Sequence, residues 1–400
     1  MVRKNIWQQF ILKKLENTRE SHQLRSLHAF DTIQPGYVIK EGKRLINLCS
    51  NDYLGLCMDK SSLEEAKILT EVVPTGAGTS RLLTGNLALH HELEKLLADW
   101  KKTESALVFP SGYQTNVGLI ASLTGKGDAV FSDKLNHASI IDGCLLSGAA
   151  FHRYQHCDLK DLESLLRSKR PQKRLIVTDG VFSMDGDIAP LPEINKLAKR
   201  FNALLIVDEA HATGVLGEDG GGSWSHFHLP WGKHVILMGT LSKAIGCQGG
   251  YVCASQEIRE YLVNFCRSFI YSTGLSPLLA GLAHFNISRI RSEKNLISSL
   301  NKSIHTMLKA LSDAGLKIID RPTPIIPIVI GESEAATHCA KVLYEKGIVA
   351  FAIRPPTVPE GTARLRLSVS AAHRMEDLCD AAKKIATTIQ ETNQIQVEEK

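Results

Sequence analysis

Three apolar runs of strand length each lead directly into polar residues that could do chemistry. Leu175–Thr178 runs into Asp179 and the loop from Gly180 to Gly186. Ala203–Val207 runs into Asp208, Glu209 and His211, and Val235–Met238 runs into Thr240, Ser242 and Lys243. Lys243 lies among Gly239, Ala244, Ile245 and Gly246, a poorly solvated setting. Desolvation there favours the neutral amine, which can form a Schiff base with an aldehyde; an ordinary surface lysine is the plain alternative. Asp208 closes an apolar run, where a carboxylate is costly to bury unless it meets a cation or a donor. A protonated pyridine nitrogen is such a partner, and holding it protonated makes the ring an electron sink. Asp208 is equally suited to cap a following helix. His211, three residues on, either reaches the same ring or is structural.

A phosphate site is also legible. Ser111, Gly112 and Tyr113 follow the run Ser105–Phe109 and precede an apolar-periodic stretch. A helix starting there would turn its free N–H groups and positive end toward a phosphate, and Tyr113 could stack on a planar ring. The alternative is a capping serine beside a packed tyrosine. Other motifs fail. Gly76–Arg81 begins like GxGxxG but has Arg81 for the third glycine and no strand before it, and neither GxxxxGK[ST] nor GxSxG occurs. His90, His91 and Glu92 match no common zinc pattern and read as a helix surface, so no metal is expected.

In an open parallel sheet, ligands bind beyond the carboxyl ends of the strands, which would bring these clusters to one crevice. Ser105–Phe109, Ala129–Ser132, Leu175–Thr178, Ala203–Val207, Val235–Met238 and Tyr251–Ala254 read as buried strands. Amphipathic stretches such as Leu159–Arg167 and Leu191–Phe201 separate several of them, the pattern of βαβ units. Pro277 suits the first turn of a long helix running toward Ile290 and Leu300. Beyond it come a helix, the segment Lys317–Asp320, a Pro-rich turn, Ile325–Ile330, a helix over Ala335–Lys346, and Leu365–Ser370. The expected organisation is an N-terminal arm (1–46), a large α/β domain (47–288) and a smaller C-terminal α+β domain (289–400).

Composition narrows the class. In 400 residues, 44% hydrophobic and 22% charged, a large core forms without staples, and disorder is excluded as the main state. Net charge is only +5, and the one basic cluster (Lys169, Arg170, Lys173, Arg174) reads as a solvated loop, so no nucleic-acid partner is expected. Nine cysteines without a CxxC pair point to reduced thiols. The start, Met1–Lys14, mixes Arg3, Lys4, Lys13 and Lys14 with apolar residues at helical spacing and reads as no signal peptide; a cytoplasmic protein without a membrane span is expected.

Seven stretches, Ser50–Gly55, Gly76–Arg81, Ser111–Tyr113, Asn136–Ser139, Gly180–Gly186, Asp208–His211 and Thr240–Lys243, stand in one order over nearly the whole chain. Together they resemble the α-oxoamine synthases, fold-type I pyridoxal-phosphate enzymes. The resemblance implies a fold-type I PLP-transferase: a mostly parallel central sheet covered by helices, with pyridoxal 5'-phosphate as cofactor. It implies that Lys243 carries the cofactor and that Asp208 partners its ring nitrogen. It further implies that His137 stacks over the ring, that Ser183 and His211 lie near its phenolic oxygen, and that Ser111, Gly112, Tyr113 and Thr240 bind it. Ser272 and Thr273 would reach the phosphate of a neighbouring subunit, giving a homodimer with shared sites. Arg25, Asn51, His137, Thr357 and Arg366 would contact substrate, Arg366 gripping a carboxylate.

The loop Ile353–Pro359, with Gly361–Arg366, is most similar to the branch that condenses L-alanine with a pimeloyl thioester, carried by coenzyme A or an acyl carrier protein, for biotin assembly. Branches using glycine or serine with other acyl-CoA donors remain alternatives, as do a nicotinamide-dependent oxidoreductase and a non-catalytic ligand-binding protein. Cys247 and Gln248 depart mildly from the family pattern. The segment Gly220–His234 carries no functional reading.

Overall fold

A computed structural model describes residues 5–21 and 23–398; Arg3 and Lys4 of the basic start lie outside them. The chain divides into two compact units. One comprises Met1–Ser50, Ser303–Val369 and His373–Lys400, the other Asn51–Lys302 with Ser370–Ala372. The first residues thus group with the C-terminal ones, and the division falls at Lys302 where the sequence pattern put one near 288.

In the first unit, helix α1 (Ile6–Glu20) opens on a capping box, with Gln8 N–H donating to Asn5 Oδ1 at 2.8 Å and Asn5 N–H to Gln8 Oε1 at 3.2 Å. Strands β1 (Thr32–Gln34), β2 (Tyr37–Lys40) and β3 (Lys43–Asn47) form a meander.

The second unit is built on a seven-stranded sheet. Its strands are β4 (Ser105–Phe109), β5 (Ala129–Asp133), β6 (Ala150–Tyr154), β7 (Arg174–Asp179), β8 (Leu204–Asp208), β9 (Val235–Thr240) and β10 (Gly250–Ala254), in the order β4-β10-β9-β8-β7-β5-β6. β10 runs antiparallel to both neighbours and the rest are parallel. The expected strands are all present. β6 was not expected, because Arg153 and His152 break up its apolar pattern at the sheet edge. Six of the seven strands are buried along almost their whole length, as both-face coverage by helices requires. The helices leading to the site are α2 (Lys60–Val72), α3 (Ala88–Lys101), α4 (Gly112–Leu123) and α5 (Ala138–Ser147). Leu119 and Ile120 of α4 pack with Leu107, Phe109, Val130, Ile206 and Ile236 of the sheet in one core. Gly250 permits the closest approach: a Cβ there would lie 2.8 Å from the backbone of Gly112 and 2.4 Å from Thr115 Oγ1.

Pro277 opens a helix as expected, with Ser276 as its cap, but that helix ends at Ser292 and a second one, Lys294–Asp313, follows. In the first unit, β11 (Ile325–Gly331), β14 (Ala363–Ser368) and β13 (Phe351–Ile353) make an antiparallel sheet, and β12 (Ile348–Val349) adds parallel to β3. Lys317–Asp320 has no regular structure.

One sequence reading is corrected, and one segment left without a reading acquires a structural role. His90 is not on a helix surface but fully buried, its Nε2 2.7 Å from the Leu275 carbonyl. The uninterpreted segment Gly220–His234 wraps a buried polar cluster. Glu209 accepts the N–H groups of Ser223 and Trp224 at 2.7 and 3.0 Å, and Lys101 donates to Gly221 O and Thr213 Oγ1, both at 2.8 Å. Burial lowers the Lys101 pKa, against the attraction of Glu209.

A second buried charge cluster ties Gly76–Arg81 to the sheet. Glu94 of α3 receives Arg81 Nη1 at 2.9 Å, the Val108 N–H at 3.0 Å and Arg259 Nη2 at 3.3 Å, with the Arg81 and Glu94 side chains only 5% exposed. Removing one partner of a buried pair strands the other charge. Glu94→Ala should therefore lower unfolding free energy by about 3–5 kcal/mol, read from denaturant midpoints at unchanged m-value. A loss below about 1 kcal/mol, the surface-pair range, would show that Arg81 needs no counter-charge.

Candidate active site

Parallel strands end at one edge, so their last residues meet. Asp179 ends β7 and Asp208 ends β8, paired side by side in the ladder register, and Thr240 ends β9. A cavity of about 270 Å³ opens there, and Lys243 and Asp208 both line it. Among the predicted residues, Ser111, Gly112, Tyr113, His137, His211 and Thr240 line it too.

Asp208 does not cap a helix, since a turn follows it. Its Oδ1 accepts the Ala210 N–H at 2.8 Å and its Oδ2 accepts Asn116 Nδ2 at 2.7 Å. Asn116 also donates to Ser139 Oγ at 2.9 Å, while its buried Oδ1 has no hydrogen-bond partner among the described residues. Asp179 Oδ2 accepts the His137 N–H at 3.1 Å. Burial pushes the Asp179 carboxyl well above the usual carboxylate range, and the neighbouring Asp208 charge adds to this.

Lys243 Nζ lies 2.8 Å from His211 Nε2, and His211 Nδ1 lies 2.7 Å from Tyr53 Oη, which donates to Asn51 Oδ1 at 3.1 Å. Because the Tyr53 proton goes to Asn51, Tyr53 accepts from Nδ1–H; His211 Nε2 then accepts from Lys243. Four residues thus form one directed chain that starts at the amine and ends on Asn51 Oδ1. His137 caps α5, its Nδ1 2.7 Å from Ser139 Oγ. It is exposed on the cavity wall; partial desolvation and the charge of Lys243 hold its pKa below the ordinary value, against the pull of Asp208.

Ser111 is the N-cap of α4, its Oγ accepting the Gln114 N–H at 3.2 Å, and Gly112 is the first helical residue. The first turn of a helix has N–H groups without intrahelical partners and a positive end, so this wall of the cavity favours negative charge. Tyr113 donates to Asp142 across the surface, so it is a wall held from outside. Thr240 Oγ1 donates to the Gly249 carbonyl at 2.8 Å.

The other predicted residues lie elsewhere. Ser183 sits two residues beyond Val181, which lines the cavity, but is not itself on the wall. Ser272 and Thr273 are off the wall as well; Thr273 is exposed and bridges Ser80, and Gly274 N–H donates to Thr79 O at 2.9 Å. Arg25, Thr357 and Arg366 belong to the other unit. Arg25 and Thr357 are exposed there, whereas Arg366 is buried in β14 and donates to Ser368 Oγ at 2.7 Å. Sequence reasoning assigned no role to Tyr53, Asn116, Ser139 or Asp179. Asp179 carried the same signal as Asp208, an acid closing an apolar run; the other three gain meaning only from their partners.

The cavity fits pyridoxal 5'-phosphate. An amine, a buried carboxylate, an imidazole and a helix N-terminus stand on its walls, and the orphan Asn116 Oδ1 awaits a donor. Fold and cavity together define a class, and the comparisons agree. Residues 43–385 match the model for aminotransferase class I and II, and the chain belongs to that family. Within it, the chain is 47% identical to the 8-amino-7-oxononanoate synthase of Geobacter sulfurreducens, covering 94% of this chain and 97% of the relative. It is 46% identical to that of Citrifermentans bemidjiense, covering 94% and 96%. Among solved structures it is similar to a Sphingomonas wittichii serine palmitoyltransferase (TM-score 0.89, 29% identity, covering 98% of this chain and 99% of that one). It is also similar to the Francisella tularensis 8-amino-7-oxononanoate synthase (TM-score 0.75, 28% identity, covering 87% and 98%). The resemblance to α-oxoamine synthases read from seven stretches therefore holds, as does the fold-type I α/β class.

The paired acids give a pH signature. In the fold burial raises the Asp179 carboxyl well above its ordinary 3.8, so folding favours a proton that the unfolded chain releases above that value. Its contribution is full below pH 3.8 and fades as pH rises toward the raised value. Asp179→Asn, which cannot ionise, should therefore gain stability relative to wild type between about pH 5 and about pH 8 in the cofactor-free protein. Thermal unfolding at both pH values measures this; a difference independent of pH refutes it.

Proposed function

We propose that this chain condenses L-alanine with a pimeloyl thioester, borne by coenzyme A or an acyl carrier protein. The products are 8-amino-7-oxononanoate, carbon dioxide and the free thiol, a step of biotin biosynthesis. The protein is a pyridoxal-phosphate-dependent acyltransferase. What carries the reading is that Lys243 and Asp208, thirty-five residues apart, line one cavity whose walls include the start of α4. Relatives at 46–47% identity with that activity in their names support the substrate pair.

When bound, the cofactor draws electrons from the amino acid's α-carbon so that its bonds to hydrogen and to the carboxyl group can break. Asp208 holds the proton on the ring nitrogen, and Asn116, bonded to Oδ2, keeps that carboxylate aimed. The first turn of α4 binds the phosphate. Lys243 Nζ anchors the cofactor and moves the α-proton, with His211 Nε2 at 2.8 Å as the acceptor that keeps the amine oriented. His137 packs on the ring and orients the substrate carboxylate. Arg366 grips that carboxylate bidentately, with Arg25, Asn51 and Thr357 completing the substrate contacts. Ser183 would support the phenolic side, and Ser272 and Thr273, half-buried and exposed respectively and both off their own cavity wall, would reach the phosphate of a second copy in a cytoplasmic homodimer.

A second reading has one observation in its favour, the higher TM-score to serine palmitoyltransferase. Product analysis decides: L-alanine, glycine and L-serine are each paired with pimeloyl-, acetyl-, succinyl- and palmitoyl-CoA, reading thiol and carbon dioxide release. L-Alanine with pimeloyl-CoA should be turned over fastest by at least about tenfold, about 1.4 kcal/mol of discrimination. A preference for glycine or serine assigns a sister activity.

Asp208→Asn should fold yet lose about 10²–10³-fold in kcat, because an amide cannot hold the ring nitrogen protonated. Lys243→Ala should lose turnover and the bound cofactor's visible absorbance. A near-wild-type rate in either variant removes that residue from the mechanism.

A further inference from the structure

Outside the cavity, three segments of the large unit bring a second chemically dense cluster together. Asp133 ends β5, His156 and Cys157 follow β6, and Asp187 lies in the loop beyond β7. The ligand atoms of Asp133, His156 and Cys157 lie within 4.8 Å of one another. We propose that His156 Nε2, Cys157 Sγ and Asp187 Oδ2 form a binding site for a zinc-type divalent cation, with Asp133 as the outer carboxylate that orients the imidazole.

The geometry supports this at two levels. His156 Nε2 and Asp187 Oδ2 are 2.8 Å apart, and Cys157 Sγ lies 3.8 Å from the first and 3.9 Å from the second. Tetrahedral zinc with ordinary Zn–N, Zn–O and Zn–S bonds sets the corresponding edges at about 3.3–3.6 Å. Shifts of about half an ångström in two side chains convert one triangle into the other, leaving a fourth position for water. Behind it, His156 Nδ1 is 3.0 Å from Asp133 Oδ1, the carboxylate–histidine arrangement that fixes the tautomer and aim of a metal-bound imidazole. Asp133 is itself immobilised, with a side chain 1% exposed and its oxygens receiving the Leu135 and Cys157 N–H groups, each at 2.8 Å. Phe182 packs edge-on against the imidazole at 4.4 Å.

Cys157 adopts a left-handed backbone, φ +54, unusual for a side chain of its kind. The conformation is held by its N–H bond to Asp133, which also sets the thiol beside His156. The His156 and Asp187 side chains are 28% and 21% exposed, so solvent ions reach the cluster. A nitrogen–sulfur–oxygen donor set selects zinc or cobalt over magnesium or calcium. An incoming M²⁺ replaces the Nε2 proton and the Cys157 thiol proton, both released to solvent, with no change of oxidation state. The ion would staple the exits of β5 and β6 to the loop that carries Ser183. This departs from the sequence expectation of no metal, because neighbouring His156 and Cys157 acquire their carboxylates only through the fold.

The test uses the full-length protein with pyridoxal phosphate bound, stripped by a chelator and then titrated at about pH 8, where metal competes best with protons. Expected are one Zn²⁺ per chain by calorimetry and, with Co²⁺, the intense visible bands of a tetrahedral thiolate complex. Cys157→Ser should abolish those bands, and Asp133→Asn should weaken zinc binding about 10–100-fold. Cys57→Ser, which alters an exposed thiol away from the cluster, should match wild type. Zn²⁺ should also protect Cys157 of the unmutated protein from alkylation, a readout independent of how any variant folds. Absence of stoichiometric uptake, uptake unchanged in Cys157→Ser, or an alkylation rate at Cys157 indifferent to zinc would overturn the proposal.

Discussion

Two carboxylates ending neighbouring parallel strands set the terms for everything around them. Asp179 and Asp208 are paired in register, and both are buried. Water cannot screen them there, so they demand protons, donors or a positive ligand. The fold answers the two differently. Asp179 takes the His137 N–H and favours its neutral form, while Asp208 receives Asn116 and Ala210 and faces the cavity. One acid is thereby spent on architecture, and the other is left facing whatever cation the cavity admits.

Architecture supplies the rest by coincidence of ends. β5, β7, β8 and β9 are parallel, so segments far apart in the chain deliver His137, Asp179, Asp208 and Thr240 to one edge. The antiparallel β10 then lets α4 descend against the sheet, because Gly250 and Gly112 leave no side chain between them. That descent sets a helix N-terminus beside the acids and the amine. Behind the edge, Glu209 and Lys101 clamp the turn at Gly221–Trp224, so the loop bearing Asp208 and His211 is backed by buried hydrogen bonds. Positioning to a fraction of an ångström matters for a reaction that depends on orientation, and such backing provides it.

The same logic recurs at His156. There too a histidine lies between acids brought from different strand exits, and it joins the segment before His137 to the loop beyond Val181. Both clusters use the carboxyl edge of the sheet, one facing the cavity and one facing its supporting loops.

How much was legible in the chain depends on whether a signal is local. Apolar runs ended by acids, a serine before a periodic stretch and a lysine among small residues are local patterns. They revealed the strands and the start of α4 and marked Asp208 and Lys243, which line one cavity, as candidates; seven motifs in order revealed the family. Contacts between distant segments were silent. Nothing near Tyr53 announces that it orients His211, nothing near Asn116 that it holds Asp208, and nothing near Trp224 that its backbone closes on Glu209. His90 looked like surface because its neighbours are polar, yet the turn of α3 pointed it inward. By itself, then, the sequence determined the periodicities and the residues able to do chemistry, because side-chain type and spacing act over a few residues. Only the tertiary structure decided which of them share a cavity, which carboxylate burial pushes toward its neutral form and which histidine turns to which partner. Those outcomes depend on burial and distance between strands, which no local pattern encodes.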